Sequence, residues 1–235
     1  MDDWRVLPFE VDDAEALLER GAALLEELAE EPVPTLRWYR SDSPALVLGR
    51  GQADLAEATT AGNLRLVTRY SGGGAVLMDD DLLSLDVLVP AGHPWLDGGP
   101  GAVYSPVGRS WAMALRELGV PDVDVHRETS TASRRGDARQ RLLAAVCYAT
   151  LGRGEVTAGG RKIVGLAQRR RRPGALVQCG LLRRWRPARL LAALGAEPDD
   201  PAIAAGAAGL DDLLDPPPSD VEIMEAVRCS LRRHG

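Results

Sequence analysis

The stretch that decides the fold of this chain reads Gly159-Gly160-Arg161-Lys162-Ile163-Val164-Gly165-Leu166-Ala167-Gln168. Its lysine stands alone, because 27 of the 28 basic residues in the 235-residue chain are arginines. Lysine carries a compact ammonium on a thin stem and arginine a wide planar fork, so the two cations are not interchangeable at a confined site. Lys162 is therefore either an accident of composition or a residue kept for its chemistry.

Composition limits the classes of protein to consider. The length and a hydrophobic fraction of 45% predict one folded domain over residues 1–235. No stretch approaches the roughly 20 apolar residues of a membrane helix, and the N-terminus lacks the layout of a signal peptide, so a cytoplasmic location without membrane attachment is expected. A net charge of -6 argues against general nucleic-acid binding.

The cysteines and histidines are scattered. The three cysteines, Cys147, Cys179 and Cys229, form no C-x-x-C pair, and the three histidines lie far apart in the sequence. Neither a disulfide framework nor a metal site is predicted.

Hydrophobic periodicity predicts strands and helices in alternation. An amphipathic helix begins after Asp12 or Asp13, and strands are expected at Thr35–Tyr39, Ala45–Leu48, Leu64–Arg69, Ala75–Leu77 and Leu82–Val89. Helical spacing returns at Tyr104–Leu118, strands between Glu155 and Arg184, and helices at Pro187–Leu194, Leu210–Leu214 and Ser219–Arg233. Residues Thr131–Asp137 are expected to form a polar loop. The pattern predicts an α/β or α+β domain with a helical C-terminal tail from about residue 187 to 235.

A glycine-rich segment is the second informative feature. Arg69 precedes Ser71, Gly72, Gly73, Gly74 and Ala75. Glycines let a ligand approach the backbone and let N–H groups converge on it, although a tight turn between strands also uses glycine. The segment fits neither common nucleotide-binding pattern, because no helix signal follows it directly.

Three separated segments together resemble one family. They read Leu48-Gly49-Arg50-Gly51-Gln52, Arg69-Tyr70-Ser71-Gly72-Gly73-Gly74-Ala75-Val76, and Gly160-Arg161-Lys162-Ile163-Val164-Gly165-Leu166-Ala167-Gln168-Arg169-Arg170. In this order and spacing they resemble the lipoate-protein ligase and octanoyltransferase family, which is grouped with biotin ligases. The resemblance spans roughly residues 36–182 and implies a mixed central sheet flanked by helices.

The resemblance also implies a site. In that family the glycine loop and its preceding arginine line the pocket for an acyl group or acyl-adenylate, and the lysine reaches the acyl carbonyl. Carried over, the substrate-binding residues are Arg69, Ser71, Gly72, Gly73, Gly74, Ala75, Gly165 and Ala167, and Lys162 is catalytic. An ammonium and backbone N–H groups can stabilise the negative charge that develops on the carbonyl oxygen. Val76, Leu77, Val164 and Ala167 are expected either to line an apolar slot for the acyl chain or simply to pack in the core.

The family includes two chemistries, and Cys147 bears on the choice. Its ATP-dependent ligases usually carry an Asn-Asp pair before the lysine segment, but this chain reads Arg153-Gly154-Glu155-Val156 there. Cys147 instead lies where the cysteine-dependent octanoyltransferases carry their thiol, which implies a Cys147 acyl-enzyme as the second catalytic residue. A buried structural cysteine is the plainer alternative. Against the transferase, Ser71-Gly72-Gly73-Gly74 is more similar to the ligases.

Substrates and partners follow from the resemblance. It implies transfer of an octanoyl or lipoyl group to a lysine of a lipoyl-domain acceptor, with no permanently bound cofactor. A transferase would take the group from an acyl carrier protein or a lipoylated donor protein, and a ligase would use lipoate with ATP and Mg²⁺. A non-catalytic lipoyl-binding paralogue is a third possibility.

Two further features leave alternatives open. Cys179 stands where the family usually has histidine, so it is either a second thiol near the site or a buried side chain. The arginines at 169–172, 183, 184, 186 and 189 are either a surface that steers an acidic partner or a solvated face.

Overall fold

The computed structural model describes residues 4–59, 64–128 and 137–234. The strands are β1 (Arg5–Val6), β2 (Glu10–Asp12), β3 (Thr35–Ser41), β4 (Ala45–Leu48), β5 (Arg65–Thr68), β6 (Val76–Met78), β7 (Leu82–Pro90), β8 (Val123–Val125), β9 (Val156–Ala158), β10 (Arg161–Arg171) and β11 (Gly174–Leu182). The helices are α1 (Ala14–Glu27), α2 (Ala53–Ala58), α3 (Tyr104–Glu117), α4 (Ala138–Ala145), α5 (Ala188–Ala193), α6 (Pro201–Gly206) and α7 (Asp220–His234).

Two sheets organise the described part of the chain. The larger has eight strands in the order β1-β3-β7-β11-β10-β9-β8, with β2 beside β3. Its central neighbours are antiparallel, whereas β1 and β2 run parallel to β3. The smaller sheet, β5-β4-β6, contains one parallel and one antiparallel pair. The predicted α+β architecture with a mixed central sheet flanked by helices is confirmed.

One face of the larger sheet is covered by α3 and α7. Alternate residues of β7 point to this face, because side chains of a strand alternate with period two. They form one core with residues from both helices: Leu83, Leu85, Val87, Val89, Val107, Trp111, Leu115, Ile223, Val227 and Leu231. Trp38 of β3 and Trp111 of α3 meet edge to face, with ring centroids 5.6 Å apart. The C-terminal helix therefore completes the central core.

The other face of the sheet holds α1 and the smaller sheet. Asp13 caps α1 by accepting hydrogen bonds from the backbone N–H groups of Glu15 and Ala16, which have no partner within the helix. Leu17 and Leu18 of this helix pack with residues of both sheets, and α5 and α6 cover the far side of the smaller sheet. This face carries the candidate site.

A buried ion pair lies under α1. Arg37 of β3 donates to Asp86 of β7 at 2.9 Å, and Tyr39 donates to the same carboxylate at 3.1 Å. Burial raises the pKa of Asp86 to about 6, although Arg37 acts in the opposite direction. A side chain at Gly21 of α1 would meet the Asp86 carboxylate, so the glycine allows the helix to approach.

The fold also departs from the sequence-based predictions. Leu210–Leu214, predicted to be a helix, contains only the short 3-10 turn Leu210–Asp212, and α4 and α6 were not predicted. The expected loop Thr131–Asp137 lies outside the described residues except for Asp137, which caps α4 by accepting from the backbone of Gln140. Short elements without a full apolar stripe give little periodic signal.

Candidate active site

The glycine loop is joined to the segment that carries Cys147. Ala75 donates its backbone N–H to the carbonyl of Ala145 at 2.6 Å, and Cys147 donates to the carbonyl of Ala75 at 2.9 Å. Gln52, from the first of the three motifs, donates its side-chain amide to the same Ala145 carbonyl at 3.0 Å. Segments nearly 100 residues apart in sequence therefore form one backbone assembly.

Arg69 shapes the loop from within. Its guanidinium is buried and donates to the carbonyls of Gly72 and Gly74, each at 2.8 Å. Gly73 has φ +101°, in the region that favours glycine. A Cβ at Gly74 would lie 2.6 Å from the backbone nitrogen of Cys147. Gly73 is therefore needed for its backbone conformation, and Gly74 is needed because the backbone of Cys147 lies so close to it.

Ser71 connects the loop to the larger sheet. Its buried hydroxyl lies 2.6 Å from the side-chain oxygen of Gln178 and donates to it. Gln178 lies on β11 opposite Ala167 of β10, and both side chains border the same cleft. Gln178 was not predicted as a site residue, although it precedes the position where the family commonly has histidine.

A β-bulge in β10 orients Lys162. The register of β10 against β9 pairs Lys162 with Thr157 and Val164 with Val156, so Ile163 is an extra residue. An extra residue interrupts the alternation of side chains and re-aims those on either side. Lys162 and Gly165 therefore face the cleft side together, while Ile163 and Val164 both lie in the core under α3 and α7.

The ammonium of Lys162 is fully occupied. The side chain is only 2% exposed, and Nζ lies 2.7 Å from a carboxylate oxygen of Glu155. Nζ also donates to the carbonyls of Cys147 at 2.7 Å and Thr150 at 3.2 Å. Three acceptors match the three N–H donors of an ammonium. Lys162 thereby ties both ends of the segment Cys147–Glu155 to the sheet, and an acyl carbonyl would have to replace one of these acceptors.

Glu155 is the second residue that the sequence-based prediction missed. Besides the ion pair with Lys162, its carboxylate accepts from the backbone N–H of Gly152 at 2.6 Å and of Leu166 at 3.1 Å. All three partners are donors, and the side chain is buried. The only available signal was a carboxylate in a short Gly-flanked turn seven residues before the lysine, which is not distinctive by itself.

Cys147 lies at the start of a 3-10 turn, with its thiol next to Lys162. The distance from Sγ to Nζ of Lys162 is 3.9 Å, and Cys147 is partly exposed to the cleft. Tyr148 follows it and donates its hydroxyl to the carbonyl of Gly180 at 2.7 Å. Burial raises the pKa of Tyr148 well above its usual value, so this phenol stays protonated. The structure brings both predicted catalytic residues together.

The cleft in front of Cys147 is mainly apolar. Its empty volume is about 460 Å³, including the open space at its mouth. Of the predicted substrate-binding residues, Arg69, Gly165 and Ala167 line it, whereas Ser71–Ala75 form the adjoining loop and are not among its lining residues. The other lining residues are Leu18, Tyr39, Val47, Val76, Met78, Leu82, Ser84, Cys147, Tyr148, Leu166, Gln178, Cys179 and Gly180.

Two of the four residues suggested for the acyl slot lie elsewhere. Val76 and Ala167 line the cleft, but Leu77 packs toward α5 and α6. Val164 is buried in the α3 and α7 core, because the bulge turns it away from the cleft. For Leu77 and Val164 the structure supports the core-packing alternative, since side-chain direction depends on strand register.

Cys179 belongs to the opposite face of its strand. Cys179 is among the residues that border the cleft, but its side chain packs in the core beside Trp111, between the cleft residues Gln178 and Gly180. Burial raises the pKa of this thiol. Of the two alternatives for Cys179, the buried side chain is the one that the structure supports.

The arginines that follow β11 have acidic neighbours, and Arg169 and Arg171 of β10 lie 4.0 and 3.9 Å from Glu26. Arg183 forms an ion pair with Asp211 at 2.7 Å, and Arg184 and Arg186 lie 3.6 and 3.8 Å from Asp81. Acidic neighbours therefore offset much of this positive charge. This weakens the interpretation of the stretch as a docking surface.

Residues 4–59, 64–128 and 137–234 contain neither a cluster of metal ligands nor a membrane-spanning helix. No group of three or more His, Cys, Asp and Glu side chains could hold a metal ion there. In the same residues no helix is both long and apolar enough to cross a membrane.

Comparison with known proteins gives consistent matches. Residues 13–232 match the family model of the lipoyl protein ligase A/B catalytic domain. The octanoyltransferase LipM of Moorella thermoacetica is 36% identical over 75% of this chain and 63% of its own length. LipM of Kyrpidia tusciae is 33% identical over 68% of this chain and 57% of its own length. The chain thus spans about three fifths of the length of these curated relatives.

Solved structures share the fold. A lipoate-protein ligase A bound with ATP superposes with a TM-score of 0.69 at 20% identity, covering 99% of this chain and 85% of that chain. The bi-partite lipoate protein ligase of Thermoplasma acidophilum gives a TM-score of 0.67 at 19% identity, covering 100% and 84%. At this level of identity the likeness concerns the fold.

Proposed function

The chain belongs to the lipoyl protein ligase A/B catalytic domain family, and from this premise we propose that it is a protein acyltransferase with Cys147 as its nucleophile. The group transferred is octanoyl or lipoyl, and the acceptor is a specific lysine of a lipoyl-domain protein. The two relatives compared above are both named octanoyltransferases, which supports a thioester donor over free lipoate.

One observation carries the proposal. A partly exposed thiol lies at the end of an apolar cleft, 3.9 Å from the buried ammonium of Lys162. An unbranched chain of eight carbons needs apolar walls with few polar groups. The cleft provides such walls, with Leu18, Val47 and Met78 among them.

The reaction consists of two acyl transfers. The Cys147 thiol releases its proton and attacks the carbonyl carbon of the donor thioester, the bond from that carbon to the donor sulfur breaks, and the donor sulfur takes up the released proton and leaves as a thiol. The neutral amine of the acceptor lysine then attacks the Cys147 thioester. An amide forms, the bond from the carbonyl carbon to Sγ breaks, and the proton released by the amine returns to the thiol.

Lys162 supports both steps by its position. Its positive charge beside Sγ stabilises the thiolate before attack and after release of the acyl group. Its hydrogen bond to the carbonyl of Thr150 is the longest of its three contacts with oxygen, so the oxyanion of a tetrahedral intermediate would replace that acceptor most easily.

Intact-mass analysis tests the proposal. Incubation with an octanoyl-carrier protein is expected to add one octanoyl group to the wild-type chain and none to Cys147→Ser. Cys229→Ser is the matched control, because Cys229 is also partly exposed but lies on α7. It should be acylated like the wild type.

The same assay distinguishes the ligase chemistry. Modification of a lipoyl domain that requires ATP, Mg²⁺ and free lipoate and survives in Cys147→Ser would replace the proposal with adenylate chemistry. A wild-type chain that binds lipoate but modifies no acceptor under either condition would indicate a non-catalytic paralogue.

A further inference from the structure

The thiol of Cys147 has a primary amine as its neighbour. Nζ of Lys162 lies 3.9 Å from Sγ, and Lys162 is the only lysine of the chain. An acyl group on Sγ would have its carbonyl carbon bonded directly to the sulfur, close to Nζ. The group that receives the acyl chain on the acceptor protein is also a lysine amine. The acyl-enzyme therefore presents its thioester to two amines, one of its own and one of the acceptor.

Transfer to Lys162 would be a dead end. The ammonium would first give one proton to solvent, which leaves Nζ with a lone pair. Nζ would then attack the carbonyl carbon of the Cys147 thioester, the bond from that carbon to Sγ would break, and a second proton would pass from nitrogen to sulfur. The products are a Lys162 amide and a free Cys147 thiol. Because an amide does not return its acyl group to a thiol, such a chain could no longer use its lysine.

The position of Lys162 favours this side reaction. Groups held close together within one protein react as if one of them were present at a very high concentration. Nζ is directed at acceptors on Cys147, Thr150 and Glu155, all in the segment that carries the thiol, so these contacts hold the nitrogen beside Sγ. What can prevent the attack is the charge on Nζ, since a protonated amine has no lone pair.

Glu155 supplies the negative charge next to Nζ. One of its carboxylate oxygens lies 2.7 Å from Nζ, and the side chains of Lys162 and Glu155 are only 2% and 7% exposed. The backbone N–H groups of Gly152 and Leu166 donate to the same carboxylate, which fixes its position. An opposite charge in contact favours the protonated form of an amine, whereas burial without that charge favours the neutral form.

The other groups around Nζ are neutral or are the reacting thiol itself. Two are the backbone carbonyls of Cys147 and Thr150. The ring of Tyr148 has its centroid 5.2 Å from Nζ, and burial raises the pKa of this phenol, so it carries no charge. Within residues 4–59, 64–128 and 137–234, Glu155 is the one carboxylate that forms an ion pair with Lys162.

We propose that Glu155 protects the acyl-enzyme from its own lysine: by keeping Lys162 protonated, it lets the ammonium bind the thioester carbonyl without attacking it. Glu155 is thus a positioning residue that acts through Lys162. The inference rests on the proposed function for the acyl group on Cys147, and it adds to that function a selection between the two amines.

Hydroxylamine distinguishes the two products. It cleaves a Cys147 thioester and leaves a Lys162 amide intact. Wild type and Glu155→Gln are acylated with a small octanoyl thioester in the absence of an acceptor, and the resistant fraction is followed over time by intact-mass analysis. Peptide mapping then locates the resistant group, and Lys162 is the only lysine at which it can lie.

Glu155→Gln is expected to form the Lys162 amide at least about tenfold faster than the wild type, because the buried amine has lost its counter-charge. Glu155→Ala removes the same charge without adding an N–H donor beside Lys162, and it serves the same test if Glu155→Gln does not fold. Glu155→Asp keeps a carboxylate, so it should form the amide more slowly than either of them.

Asp86→Asn is the matched control. Asp86 pairs with another buried cation, Arg37, at 2.9 Å, so its replacement also leaves a buried positive charge without its partner. Lys162 and Glu155 stay unchanged in this variant. Loss of a buried ion pair in general should therefore affect both proteins, whereas the Lys162 amide should form only when Glu155 is replaced.

The outcomes separate the inference from the proposed function. An octanoyl group that stays hydroxylamine-labile in both Glu155→Gln and Glu155→Ala would overturn the inference. Formation of the Lys162 amide at the same rate in the wild type or in Asp86→Asn would overturn it too. Absence of any octanoyl group from Cys147 of the wild type would instead contradict the proposed function.

Discussion

At the scale of single residues, Lys162 is held by more groups than its motif indicates. A lysine in such a segment is expected to present a free ammonium to a substrate. Here the three N–H groups of the ammonium are directed at one carboxylate and two backbone carbonyls. A buried ammonium without such partners would carry a large desolvation cost. The groups that bind the ammonium therefore belong to the candidate site, and Glu155 is the one that supplies the counter-charge.

Glu155→Gln is expected to lower the free energy of unfolding by about 3 kcal/mol, because it leaves Lys162 buried without its counter-charge. The carboxylate of Glu155 faces N–H groups of Lys162, Gly152 and Leu166. The amide NH₂ group of a glutamine would therefore face at least one of these N–H groups, and two donors cannot form a hydrogen bond with each other. Urea denaturation measures the loss. Glu19→Gln, on the exposed side of α1, should change the free energy of unfolding by less than about 0.5 kcal/mol.

A double variant separates the charge from the packing. Glu155→Gln/Lys162→Met removes the uncompensated ammonium, so it should be more stable than Glu155→Gln alone. If the double variant loses as much free energy of unfolding as Glu155→Gln and Lys162→Met lose together, the two side chains do not act as a pair.

At the scale of elements, the glycine loop and the bulge in β10 define the site. The loop brings its backbone against Cys147, and the bulge turns Lys162 toward the same point. Both act by allowing close approach or by shifting the alternation of a strand.

Gly74→Ala and Gly72→Ala form a matched pair within the loop. A Cβ at Gly74 would lie 2.6 to 2.8 Å from backbone atoms of the Ala145–Cys147 segment, whereas a Cβ at Gly72 would meet nothing within 4 Å. Neither glycine has positive φ, so the comparison isolates space from conformation. Gly74→Ala should slow acylation of Cys147 at least tenfold, since the thiol must shift. Gly72→Ala should leave the rate within about twofold, and equal rates for the two would disprove this account of the loop.

At the scale of the molecule, the C-terminal tail is part of the central structure. Ala208 donates its backbone N–H to the carbonyl of Lys162 at 2.9 Å, and α7 packs against α3 on the larger sheet. That residues 1–235 fold as a single domain stays a prediction. The two contacts link the site to the distant end of the chain.

Val227→Ala and Val221→Ala, both on α7, test whether the C-terminal helix contributes to the stability of the central core. Val227 is fully buried between α7, α3 and the sheet, and Val221 is 71% exposed. The first change should lower the free energy of unfolding by about 2 kcal/mol through lost apolar burial and a small cavity. The second should cost less than about 0.5 kcal/mol. A single transition in urea, followed by both backbone and tryptophan signals, is expected for a tail that unfolds with the sheet.

The sequence by itself determined the class of fold, the three motifs and the two candidate catalytic residues. Apolar periodicity, glycine runs and the single lysine are local features that can be recognised in the linear sequence without knowledge of the fold. It also predicted the main strands to within one or two residues, for example Ala45–Leu48 and Leu82–Pro90.

Only the tertiary structure decided what surrounds those residues. The roles of Glu155, Gln52 and Gln178, the opposite directions of Val164 and Val76, and the burial of Cys179 all follow from strand register and one extra residue in β10. The pairing of strands and the contacts of loops join residues far apart in sequence. Because a shift of one residue moves a side chain to the other face of a sheet, motif spacing alone cannot assign those contacts.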